Sequence, residues 1–160
     1  MENMNKEGFQ GLAFGMMDGI ITALGVLMGL SPLEDKIILF IGILVTGMAD
    51  SLANAAGVHV SEETETIHRR AEIWKSTLYC FFATILMFML ISIPILILPF
   101  ETAVCVSWII GALLLVMLSV VVADIRKMKR LHLIAEYVTM GLVVSAVCYI
   151  LSTLVKNILL

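Results

Sequence analysis

The chain has 160 residues, of which 61% are hydrophobic and 14% charged, with a net charge of −3 and a mean hydropathy of +1.05. A water-soluble domain of this size could not bury that much apolar surface, and an acidic chain offers no basic footprint for nucleic acid. The composition therefore excludes a soluble enzyme domain, a DNA or RNA binder and a disordered chain, and points to an integral membrane protein.

Five apolar stretches are each long enough to cross a hydrocarbon core, which takes about 20 helical residues. The predicted helices cover about 9–30, 36–60, 77–98, 103–123 and 133–155, with a short linker over 61–76 that continues the helical pattern. The reading is an all-α, polytopic protein forming a single transmembrane domain. Ser31-Pro32 stops the first helix, Pro94 is expected to kink the third and Pro99 to end it. The N-terminal MENMNKEGFQ has no basic leader region, so the first helix is expected to stay in the mature protein. Cys80, Cys105 and Cys148 are scattered through apolar runs and show neither zinc-site spacing nor a disulfide framework.

Charge sets the expected orientation. Lys6, Arg69, Arg70, Lys75, Arg126, Lys127, Lys129 and Arg130 fall on one side, and Lys36 and Lys156 on the other. The positive-inside rule then puts the N-terminus in the cytoplasm and the C-terminus outside, as five spans require. Trp74 and Trp108 are expected at the membrane interfaces.

The first helix holds Asp18 deep in an apolar run. A carboxylate there costs at least about 2.5–3.5 kcal/mol to insert, so it needs a partner, a cavity or an ion. It reads as an ion ligand or proton carrier, or as a structural hydrogen bond to a neighbouring helix. Gly11, Gly15 and Gly19 recur every four residues, as do Gly25 and Gly29, forming a ridge that lets another backbone approach closely. That backbone belongs either to the same protomer or to a second copy.

In the second helix Asp50 and Asn54 are four apart and share a face, near Gly47 and Gly57. Two membrane acids facing each other compete for one proton, which suits exchange of a cation for protons. Otherwise Asp50 and Asn54 form a hydrogen-bonded pair that joins helices. Beyond this helix, Glu65 and His68 make an E-x-x-H pair, with Glu62 and Glu72 on much the same face. Carboxylate and imidazole together suit Fe²⁺, Mn²⁺ or Zn²⁺, and the bland reading is a solvated helix end balanced by Arg69 and Arg70. Glu136 is expected to snorkel and pair with Arg130 or Lys129. Met16, Met17 and Met48 lie near the acids, as soft ligands or as apolar filler.

Two segments, MMDGIITALGVLMGL and GMADSLANAAGVHVSEETE, resemble the vacuolar iron transporter family. That family has D-G-[LI]-[VI]-T in its first span and A-D-x-x-S-M-x-x-G-E-Y-x-S in its second. The resemblance implies a homodimer of five-helix protomers in the cell membrane, exporting Fe²⁺, Mn²⁺ or a related divalent cation from the cytoplasm in exchange for protons. The pathway would lie between protomers, lined by the first helices. Asp18 matches the family's first-span aspartate, and Asp50, Gly57, Ser61 and Glu65 match its second-span positions. Ala53 and Asn54 replace the family's serine and methionine, and Val58-His59 replaces its Glu-Tyr pair. Asn54 thus exchanges a soft thioether for a hard oxygen, which suits Mn²⁺ or Mg²⁺. The large Glu-rich cytoplasmic domain of eukaryotic members is reduced here to the stretch around Glu62–Glu72.

The implied ligand set is Asp18, Asp50 and Asn54 in the membrane, with Glu62, Glu65, His68 and Glu72 at the cytoplasmic mouth. No cofactor is expected beyond the transported cation. A non-transporting membrane assembly protein and a small-solute/proton antiporter are the alternatives. No H-E-x-x-H or G-x-S-type nucleophile motif suggests an enzyme.

Overall fold

A computed structural model describes residues 6–65 and 70–159, without the side chains of Lys6 and Glu7. The described chain is all-α: α1 (Lys6–Leu30), a single 3₁₀ turn (Ser31–Leu33), α2 (Lys36–Thr64), α3 (Arg70–Ile97), α4 (Phe100–Arg126) and α5 (Arg130–Leu159). All five helices are long and apolar enough to cross a membrane. The outer surface exposes large side chains such as Ile37, Val45, Phe82, Ile97 and Leu113, an apolar coat that a bilayer covers and water does not. The chain is a multi-pass membrane protein.

Four helices contain their predicted apolar stretches and extend beyond them at one or both ends, and α3 begins seven residues earlier than expected and ends at Ile97, one residue short of the expected 98. The expected linker over 61–76 is largely helix, because Ser61–Thr64 continue α2 and Arg70–Ser76 open α3. Hydropathy marks only the part of a helix that sits in lipid. Glu62, Glu63, Arg70 and Lys75 end the apolar run, but glutamate, arginine and lysine are good helix formers. Pro94 lies inside α3, and the Leu98 N–H still reaches its carbonyl at 2.9 Å. Pro99 is the residue that starts α4. Asp35 caps α2, its Oδ1 accepting from the Ile37 and Ile38 amides at 2.8 and 2.9 Å.

α1 is the centre of the bundle and packs against all four other helices. Its glycine ridges explain how. A Cβ on Gly11 would sit 2.4 Å from the Ser76 carbonyl, one on Gly15 2.4 Å from that of Cys80, and one on Gly19 2.8 Å from that of Thr84. The ridge thus lies directly on the backbone of α3, which presents its own small residues every four positions. Gly25 and Gly29 face Val144 and Cys148 of α5. The Gly11–Gly15–Gly19 ridge is therefore occupied within one protomer, whereas Gly25 and Gly29 touch α5 more loosely and also line an open groove. The core around them is built from Ile20, Leu24, Leu27, Leu39, Phe88 and Ile91.

Polar side chains join the ends. Lys36 Nζ donates to the Leu98 carbonyl at 2.9 Å and lies 3.4 Å from that of Leu96, and Lys156 Nζ donates to the Pro32 carbonyl at 2.6 Å. At the opposite end Arg130 pairs with Asp124 through two contacts of 2.6 and 2.9 Å. The expected partner Glu136 instead stays on the exposed face of α5. The turn between α4 and α5 brings Asp124 within reach first. Trp108 Nε1 donates to Ser145 Oγ of α5 at 3.1 Å.

Candidate functional site

Asp18 is twelve residues from either end of α1, and Asp50 is fourteen from either end of α2. At about 1.5 Å per residue, each carboxylate lies roughly 18–21 Å from its helix ends. Both acids therefore sit at mid-depth of a membrane-spanning bundle. The two helices bring them together. Asn54 Nδ2 donates to Asp18 Oδ2 at 2.5 Å, and the Asp50 side chain interacts with both Asp18 and Asn54. Asp50 Oδ2 is a buried oxygen with no hydrogen-bond partner. Such an orphaned acceptor is costly unless a proton or a cation reaches it.

Polar residues recur along α2 through its middle and toward Thr64. Thr46, Asp50, Asn54 and Ser61 follow one another at helical spacing. On the side of Thr64, a cavity of about 270 Å³ lies between Gln10, Gly11 and Phe14 of α1, Gly57, Ser61 and Glu62 of α2, and Ser76 of α3. Glu62 is only 7% exposed, and its Oε1 accepts from Ser76 Oγ at 3.0 Å. On the other side of the acids a groove of about 550 Å³ exposes Thr22, Gly25 and Gly29 of α1 between Thr46 of α2 and Cys148 of α5. The acid pair thus stands between two openings along one stripe of α1.

Glu65 is the exposed residue that ends α2, and Glu72 is half-buried in the first turn of α3. His68 lies outside the described residues. Among the described residues no three His, Cys, Asp or Glu side chains gather as a metal cage. Any cation at the acid pair would be held by Asp18 and Asp50, with the Asn54 amide turned to offer its oxygen, and by water. Met16 and Met17 pack against the core, and Met48 faces outward, which fits filler.

Sequence reading missed the burial of Glu62 and the contribution of α3. Ser76, Cys80 and Thr84 line the far side of α1 at four-residue spacing, a pattern that could have been read as the partner of the glycine ridge. No protein-family model matches the chain, and no curated protein matches it.

Proposed function

We propose that the protein is a dimeric divalent-cation transporter of the vacuolar iron transporter type, moving Fe²⁺, Mn²⁺ or a similar ion out of the cytoplasm in exchange for protons. The observation that supports this best is the meeting of Asp18, Asp50 and Asn54 at the midpoints of two helices, with an opening on either side. Transporters bind their ions near the midplane, on groups reachable from each side in turn. Two carboxylates can hold a divalent cation or share protons, and that competition is what couples the two fluxes.

In this reading the cavity beside Glu62 is the cytoplasmic approach, with the N-terminus inside and the chain in the cell membrane. Glu62, Glu65 and Glu72, with His68, supply negative charge and ligands at that mouth. Hard oxygen ligands favour Mn²⁺ and Fe²⁺ over softer ions. The partner protomer covers the open side of α1 between α2 and α5, where Thr22, Gly25 and Gly29 line a groove, because the Gly11–Gly15–Gly19 ridge is already occupied by α3. The test is metal uptake into proteoliposomes, which Asp18→Ala and Asp50→Ala should each abolish while leaving a folded protein.

One observation favours a second reading. The Asn54–Asp18 hydrogen bond also satisfies what a purely structural helix pair needs, as in a membrane assembly protein that moves nothing. Folded protein with no flux of any cation would select it.

A further inference from the structure

Where α2 approaches the start of α3, a second polar cluster stands apart from the acid pair. His59 and Glu63 are four residues apart, so they lie one turn apart on one face of α2. Thr77 on α3 donates its hydroxyl hydrogen to the Ile73 carbonyl at 2.8 Å. Its oxygen is then left to accept, and His59 Nδ1 lies 3.0 Å away. This places the imidazole proton on Nδ1 and leaves the Nε2 lone pair available. Trp74 meets the ring edge-on, with centroids 4.7 Å apart.

His59 Nε2 faces Glu63 Oε1 at 3.6 Å. That is too long for an N–H···O hydrogen bond. It is close to the separation of about 3.4 Å between two ligands each held about 2.1 Å from one tetrahedral ion. Beside the pair is a hollow of about 170 Å³, bordered by Arg70, Ile73 and Trp74, with room for the waters that would complete a coordination shell. The His59 side chain is 23% exposed and that of Glu63 55%, so an ion would arrive from the open side onto a ring already fixed from behind.

We propose that His59 and Glu63 form a divalent transition-metal site, of the kind that takes Zn²⁺, with Thr77 orienting the imidazole and water filling the other positions. Metal-bound histidines characteristically donate their second ring nitrogen to a neighbouring oxygen in this way. Arg70 stands on the rim with a positive charge that weakens the site. The proposal does not depend on the transport reading, since neither residue belongs to the membrane acids.

The test is Zn²⁺ titrated calorimetrically into the full chain in detergent, with Asp18→Asn and Asp50→Asn present throughout so that the membrane acids are neutral. Adding His59→Gln should remove one Zn²⁺ equivalent. Thr77→Val, which keeps the shape but loses the acceptor, should weaken that binding about 10–100-fold. Arg70→Gln should tighten it. Glu63→Gln should weaken it as well, and its half-exposed side chain makes that variant safe to fold if His59→Gln is not. An unchanged isotherm in Glu63→Gln or in folded His59→Gln would overturn the proposal, leaving only a histidine–glutamate ion pair. So would Thr77→Val binding Zn²⁺ as tightly as its parent.

Discussion

Asn54 on α2 donates its side-chain amide to the carboxylate of Asp18 on α1, joining positions 36 residues apart in the middle of the bundle. Hydrogen bonds to charged groups contribute about 1.5–3 kcal/mol in water-soluble proteins, but polar links between membrane helices average nearer 0.6 kcal/mol. Asn54→Ala should therefore lower stability by roughly 1 kcal/mol. In the Asp18→Ala background the same change should have little further effect. Equilibrium unfolding in mixed micelles, run as a double-mutant cycle, checks the coupling.

The glycines divide sharply by what surrounds them. A Cβ on Gly15 would lie 2.4 Å from the Cys80 carbonyl and 3.0 Å from its Cα, both backbone atoms that cannot yield. Gly15→Ala should force α1 off α3 and show as lost thermal stability or aggregation in detergent. Gly57 has nothing within 4 Å of such a Cβ, so Gly57→Ala should fold as well as the parent. Gly57→Leu should also fold, but should fill part of the cavity that Gly57 lines and depress metal uptake.

Lys36 and Lys156 stand at the end of the bundle where α1 gives way to α2. Both hold helix or turn carbonyls, Lys36 at Leu98 and Lys156 at Pro32. Replacing Lys36 with Met keeps the apolar stem and removes the donor, and should cost about 1 kcal/mol. Lys156→Met should behave alike, and the two losses should add, because the carbonyls are on separate segments. Thermal melts in detergent measure both.

The open side of α1 is the surface assigned to the partner protomer. In a variant lacking Cys80, Cys105 and Cys148, a single cysteine at Thr22, which lines the groove, should form a disulfide-linked dimer under mild oxidation in membranes. A cysteine at Ile109, which is exposed on α4, should not. Crosslinking at Ile109 but not at Thr22 would move the interface to another face.

The five helices were legible because an apolar run of bilayer length has few other readings. Asp18 and Asp50 stood out for the same reason, as charges where insertion is costly. The spacing of Gly11, Gly15 and Gly19 announced a close approach but not its partner, since one sequence holds no record of which helix comes near. Burial of Glu62 was equally hidden: along α2 it looks like the first of several solvated acids, and its Ser76 partner comes from α3. The His59–Glu63 pair was present as a four-residue spacing, but Thr77, which fixes the ring, comes from the next helix.

The measurement that bears most directly on the function is simultaneous cation and proton flux in proteoliposomes containing a pH-sensitive dye. Fe²⁺, Mn²⁺, Co²⁺, Zn²⁺ and Mg²⁺ would be offered in turn to wild type and to Asp18→Ala. The account predicts cation entry coupled to proton exit, strongest for Fe²⁺ or Mn²⁺ and absent in the variant. Equal flux in both proteins, or none for any ion from folded wild type, would contradict it and leave Asp18 as a hydrogen-bonding group that holds α1 to α2.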